Sequence, residues 1–487
     1  MGSLATEPAG DPLMRKFAPF GAMMFSVFVV AFLGGTITAH YKIFPYPNIR
    51  DAVRTLRVLI DTYRFSDSLL LGKYIEPVPI PAGDAPSARW EILDPLVPRL
   101  PVIAFGGLNQ YLELCPDQGC LAVAFDAEGK VTEAWPYRPV DIYAADITDG
   151  AYPHEFLIFD PITHVIPMGV QRYGDGDILV TFHASVTLPA TGLIFPFAMG
   201  VTRVGPDGSP RWTRFDFSHH WLTPGSDGTT YVPALTVGDS SLSFTHGTEP
   251  IPKRHTLVCE SGRPQLDIIQ VIDGTGSVVE EIELVPIFLQ SNWAGLLPET
   301  TDFCDPLHLN YIDEIRVDAG PGLAKGDLVL SLRNLSRFAI FDPETQEIKR
   351  IVSGGFVQQH AVHHLSGSKF LIFDNRGGDA MGPASRIVEL DLATGVERRI
   401  FPNADTPEAF AQVFSDRAGY LDISPDRSRV LASFTYAGRA FEVDIASGRL
   451  LAVYDNLHDL SSVKDMPEEY RQSAWRFSIY GMSYLSQ

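Results

Sequence analysis

The chain is 487 residues long with a formal net charge of −21, from 38 Lys and Arg against 59 Asp and Glu. That balance excludes a nucleic-acid partner, which would demand a basic footprint, and any anion site must be a local cluster of cations and donors. A hydrophobic share of 45% supports a substantial core, and 41 Gly, 30 Phe and 17 Tyr favour strands punctuated by turns.

Residues 1–16 are polar and short. Residues 17–39 carry no charge and are long enough to span a bilayer. Arg15 and Lys16 precede them and no small-x-small cleavage site follows, so the expectation is an uncleaved, single-pass anchor. Lys42, Arg50, Arg54 and Arg57 crowd the other flank and leave orientation by charge ambiguous. Residues 46–65 then read as a helix capped by Asn48, with Ile49, Val53, Leu56 and Ile60 on one face and Arg50, Arg54, Arg57 and Arg64 on the other. Such a helix either lies on anionic headgroups or packs as a spacer on the domain. A Pro-rich stretch, 76–86, reads as an extended linker, which makes 40–99 a juxtamembrane connection and leaves 100–487 as the main domain.

From about residue 100 short apolar runs alternate with Gly/Asp/Pro turns. A loose unit recurs at 121–131, 176–212, 267–279, 326–348, 369–396 and 429–450, each holding a hairpin with turn chemistry such as D-x-x-T/S-G at its tip. About six copies at intervals of roughly fifty to sixty residues predict an all-β fold, a six-bladed β-propeller.

The four cysteines show no zinc spacing. Cys115 and Cys120 bracket the turn C-P-D-Q-G-C and can close a small disulfide loop, which leaves Cys259 and Cys304 as the second pair. Disulfides require a compartment outside the cytosol. They orient the chain with residues 1–16 in the cytoplasm and the domain on the far side of the membrane.

Among the 13 histidines, His154, His183, His219, His220, His308, His360, His363 and His364 sit beside turns or strand ends. A single such residue is usually structural, but strand ends of a propeller converge on a central channel. His308 and Asn310 share one face of a strand, Arg333 ends the run D-L-V-L-S-L with a fork suited to an oxyanion, and His360 follows Gln358-Gln359. Donors beside a nucleophile fit transfer of an anionic group; the bland reading is a buried polar network that closes the channel.

D-x-x-H-x-N (305–310), G-D-x-x-x-S-x-R (326–333), F-D-P-E-T-Q-E-I (341–348), G-x-x-x-Q-H (355–360) and F-D-N-R-G-G (373–378) come in this order. The set resembles the bacterial arylsulfate sulfotransferases that work without PAPS, and the similarity extends more weakly over 115–454. The resemblance implies a six-bladed propeller and a ping-pong reaction, in which a histidine takes the sulfuryl group of an aryl sulfate and passes it to a phenolic or other hydroxyl acceptor. It implies His360, after Gln359, as nucleophile, with His308, Asn310 and Arg333 on the sulfuryl oxygens. A further histidine comes from an earlier H-H motif, His220 first and His219 second. Gln359, His219 and Asn375 are expected at the substrate, and no metal or diffusible cofactor is needed. Where the family commonly shows H-H-D, this chain has His219-His220-Trp221.

With the apolar span, the resemblance implies a single-pass protein of the bacterial inner membrane with its propeller in the periplasm, in company with a membrane-complex partner or further copies of itself. The alternative is a catalytically inactive propeller that binds or assembles a membrane complex. A calcium-dependent hydrolase would need Glu, Asp and Asn in the channel, where the candidates are mostly His and Arg.

Overall fold

The structure, a computed structural model, describes residues 75–78, 89–106, 119–143, 166–183, 200–238, 264–317, 319–377, 384–459 and 474–485, with short segments between them. The apolar span 17–39 and the helix expected over 46–65 lie outside these residues. Among the described residues no helix is long and apolar enough to cross a membrane.

Six antiparallel sheets of the repeating kind follow one another along the chain. From the inner strand outwards, blade 2 is Ile166–Arg172, Ile178–His183, Val201–Val204 and Pro210–Arg214, and blade 3 is Thr223–Pro224, Thr230–Val237, Gln265–Ile272 and Val278–Glu283. Blade 4 is Leu309–Glu314, Leu328–Leu332, Arg337–Asp342 and Glu347–Val352, and blade 5 is His360–Ser366, Lys369–Asp374, Arg386–Asp391 and Val396–Phe401. Blade 6 is Tyr420–Ile423, Arg429–Phe434, Arg439–Asp444 and Leu450–Asp455. Blade 1 takes its three outer strands from Val102–Phe105, Cys120–Phe125 and Val131–Pro136, and its inner strand from the far end of the chain, Gly481–Tyr484. The six repeats read from the sequence are these blades.

The recurring acidic turn is the outer hairpin of each blade. Its aspartate accepts, on one side-chain oxygen, the N–H two or three residues on: Asp126 from Glu128, Asp207 from Ser209, Asp273 from Thr275, Asp342 from Glu344, Asp391 from Ala393 and Asp444 from Ser447. An aspartate that mimics a backbone turn ends one strand and starts the next, so the sequence signal and the local structure are one thing. The faces between blades are packed with aromatic residues, including the fully buried Trp135, Phe182, Phe338 and Phe341.

Part of the stretch expected as linker is sheet. Ile75–Val78 pairs antiparallel with Ala474–Phe477 as the edge of a three-stranded sheet, a position that tolerates the missing N–H of Pro77. Trp90–Ile92 adds a fifth strand outside blade 6, with the Trp90 ring 4.9 Å from that of Tyr454. Both disulfides form as expected, Cys115–Cys120 and Cys259–Cys304.

Candidate active site

Three histidines stand at or just before the first residues of neighbouring inner strands: His220 ahead of blade 3, His308 ahead of blade 4 and His360 opening blade 5. One ring nitrogen of each lies within 4.8 Å of the other two. The His220 ring centroid is 5.2 Å from that of His308 and 6.3 Å from that of His360. Both His220 (φ 56°) and His308 (φ 54°) adopt the left-handed backbone conformation, which costs of order 1–3 kcal/mol at a non-glycine residue and needs support from its surroundings.

That support is specific. The Asp267 carboxylate accepts the N–H groups of His308 (3.0 Å) and Leu309 (2.7 Å). The Thr181 hydroxyl donates to the His220 carbonyl and itself accepts the N–H of Gly169 at 3.0 Å. Gly169 is required there, since a Cβ would fall 2.6 Å from the His220 carbonyl oxygen.

His360 is held in one tautomer. Its Nδ1 is 2.7 Å from Asn375 Oδ1. The amide of Asn375 is fixed the right way round, because its Nδ2 donates to the carbonyls of Ser415 (2.8 Å) and Ala418 (2.5 Å). An amide oxygen only accepts, so the proton sits on Nδ1 and the Nε2 of the neutral ring carries the lone pair. Trp221 completes the seat. Its indole N–H donates to the Tyr480 carbonyl (3.0 Å), and its ring meets that of His360 edge-on at 5.9 Å. The third residue of H-H-W is thus a fully buried wall behind the histidines.

A carboxylate does reach the site from another place. His308 Nδ1 is hydrogen-bonded to Asp305 Oδ2, and Asn334 Nδ2 donates to the Asp305 carbonyl at 2.6 Å. Burial, followed by the neighbouring Asp302 carboxylate, pushes Asp305 up to about 8. Near neutral pH the proton of the pair therefore rests on Asp305 facing Nδ1, and His308 presents an N–H at Nε2. His219, His220, His308 and His360 are all held well below the usual histidine range, in each case chiefly by burial. The Arg333 guanidinium is the next cause at His308 and His360, so this cation sits close enough to both rings to matter.

The structure brings His220, His308, His360 and Arg333 together. His219 stands behind His220, with their Nδ1 atoms 2.5 Å apart. Three other expected site residues also hydrogen-bond within the protein. Asn310 Nδ2 donates to the Gln359 carbonyl (2.8 Å), which ties blade 4 to the residue before His360. Gln359 donates to the Arg337 carbonyl (2.7 Å) and to Ser331 (3.2 Å), and Asn375 orients His360. Arg333 donates to Asn334 Oδ1 at 2.8 Å. Sequence reasoning gave no role to Asp305, Asp267 or Trp221. Only Asp305 left a usable signal, its i, i+3 spacing to His308.

A search of curated proteins returns no match. Among solved structures, the chain is similar to a nidogen/laminin complex (10% identity, 80% of this chain and 99% of that one, TM-score 0.40). It is also similar to virginiamycin B lyase from Staphylococcus aureus (12% identity, 59% and 69%, TM-score 0.29) and to Kuenenia stuttgartiensis hydrazine synthase (12%, 66% and 70%, TM-score 0.31). The family model described as Arylsulfotransferase (ASST) matches residues 202–454, which hold blades 3 to 6, all three histidines and Arg333. On that match over more than half its length, the chain belongs to the arylsulfotransferase family.

Proposed function

We propose that the protein transfers a sulfuryl group from an aryl sulfate to a hydroxyl acceptor in two steps, through a sulfohistidine at His360 and without PAPS. The observation that carries this reading is the Asn375 contact, which leaves the lone pair of a neutral, buried imidazole on Nε2 inside the histidine cluster and close to the Arg333 cation. In the first step Nε2 attacks sulfur, the S–O(aryl) bond breaks, and the phenolic oxygen takes the electron pair and a proton from His308 Nε2. Asp305, hydrogen-bonded to Nδ1, passes its own proton to the ring, so the pair stays paired throughout. In the second step the acceptor hydroxyl gives its proton back to His308, its oxygen attacks sulfur, and the N–S bond breaks. Arg333 and His220 stabilise the sulfuryl oxygens, as positioned charge does in phosphoryl transfer. The apolar span 17–39 anchors the chain in the inner membrane, and the disulfide-bonded propeller works in the periplasm.

Intact mass after incubation with 4-nitrophenyl sulfate tests this directly. The expected result is a gain of one sulfuryl group on a peptide containing His360, lost again when a phenol is added. A wild-type protein that turns over the ester with no such adduct, or a His360→Ala protein that turns it over equally well, overturns the nucleophile. No turnover of any sulfate ester, with a stable membrane partner co-purifying, would favour a binding or assembly role.

A further inference from the structure

The convergence of His220, His308 and His360 has a second chemical meaning. Three imidazoles from separate strands, each contributing one ring nitrogen within 4.8 Å of the others, are the donor set of an open tetrahedral metal site with a fourth position for an outside ligand. Such a site also needs its imidazoles oriented from behind, through the nitrogen that does not face the metal. Here His308 Nδ1 is bonded to the Asp305 carboxyl, His360 Nδ1 to Asn375 Oδ1 at 2.7 Å, and His220 Nδ1 lies 2.5 Å from His219 Nδ1.

We propose that this triad binds a divalent transition metal of the zinc class through the three Nε2 atoms, together with an anion that bridges the metal to Arg333, and that occupancy switches off sulfuryl transfer. Binding releases the His308 Nε2 proton to solvent while Asp305 passes its own proton to Nδ1, so one proton leaves for each metal bound. A tetrahedral zinc site needs nitrogens about 3.3 Å apart, so the widest pair must close by up to about 1.5 Å, within reach of side-chain adjustment. Imidazole donors favour zinc, copper or nickel over magnesium or calcium. The Arg333 cation opposes a bare metal ion at this place, which is why an anion belongs in the fourth position. A sulfate there answers both charges. The metal site rests on the geometry alone. Its inhibitory consequence rests on the transfer reading, because the metal takes the lone pair that the nucleophile uses.

Cobalt(II) titration of the chelator-stripped, full-length protein is the test, since tetrahedral cobalt absorbs visibly whether or not the protein turns over substrate. One equivalent should give a tetrahedral band that Zn²⁺ removes. Added sulfate should tighten binding in the wild type and not in Arg333→Met. The band should vanish in a His308→Gln/His360→Gln protein whose near-ultraviolet circular dichroism is native. Asp305→Asn, which keeps all three imidazoles, should weaken binding by roughly 10–100-fold. Absence of the band in folded wild type, or its survival in the double variant, would overturn the site. If the band forms and sulfate esters are never turned over, the metal site stands and the transfer reading falls. If turnover is present and Zn²⁺ at saturating cobalt-competing concentration leaves it unchanged, the inhibitory role is wrong.

Discussion

At the residue scale, the site keeps imidazoles neutral and gives each ring nitrogen one job. His360 is faced by Arg333, His220, His308, Trp221 and Asn375. Burial first, and then the Arg333 cation, hold it well below 6.5, while the Asn375 bond works in the opposite direction. In the proposed reaction it is the unprotonated ring that attacks sulfur, so the sign follows: activity is retained as pH falls through 6.5, and the acid limb of kcat/KM lies below that value. Asn375→Ala removes the influence that raises His360 and moves this limb further down. It also frees the ring to rotate, for which a loss of about 100-fold in kcat is expected. pH–rate profiles of the two proteins check both parts, and a limb shifted upwards in the variant would contradict the assignment. Which histidines come together was largely legible in the sequence, because motifs at strand starts name them. What each residue touches was not. Asn310 and Gln359 sit in those motifs, yet their amides tie blades 4 and 5 together. Only the path of the chain decides whether a polar side chain meets substrate or a neighbouring carbonyl.

At the scale of elements, the turn 302–308 shows how far the site depends on its supports. Cys304 is bonded to Cys259 and its carbonyl accepts the N–H of Gln265 at 2.6 Å. The next residue, Asp305, holds His308. The two disulfides close loops of very different length, with sequence separations of 45 and 5. Chain entropy therefore assigns about 4 kcal/mol to Cys259–Cys304 and about 2 kcal/mol to Cys115–Cys120. Replacing the first pair by serine should lower the urea midpoint more than replacing the second, and should also slow aryl-sulfate turnover at temperatures where the protein stays folded. The second replacement should leave turnover near wild type. Equal effects on turnover would mean that the Asp305 turn does not need its anchor. The hairpins themselves were readable because one aspartate both writes the signal and makes the turn. The strand at Ile75–Val78 was not, since prolines at alternating positions look alike in a linker and in an edge strand until the partner, Ala474–Phe477, is found.

At the scale of the whole molecule, everything depends on the ring being closed by residues from opposite ends of the domain. Gly481–Tyr484 is the inner strand of blade 1 and pairs with Val102–Phe105 in the register Val102 to Tyr484 and Phe105 to Gly481. The same segment reaches the active site, because the Tyr480 carbonyl receives the indole N–H of Trp221, which backs His360. Ile479, Tyr480 and Met482 are completely buried and Tyr484 nearly so. Full burial contributes roughly 1.5–3 kcal/mol for each large apolar side chain, so these four carry on the order of 6–12 kcal/mol. That is comparable with the entire stability of an ordinary domain, about 5–15 kcal/mol. Deleting residues 478–487 would also expose the hydrogen-bonding edge of Val102–Phe105, a template for pairing between chains. The truncated protein is therefore expected to fail to fold to a protease-resistant body and to be recovered as aggregate, while Tyr484→Phe, which keeps the strand and loses only the buried hydroxyl bond to Glu442 at 3.1 Å, stays soluble and melts cooperatively a few degrees below wild type. A truncated protein that melts cooperatively near the wild-type temperature would show that the ring does not need its closing strand, and the placement of Trp221 behind His360 would then have to rest on the other blades alone.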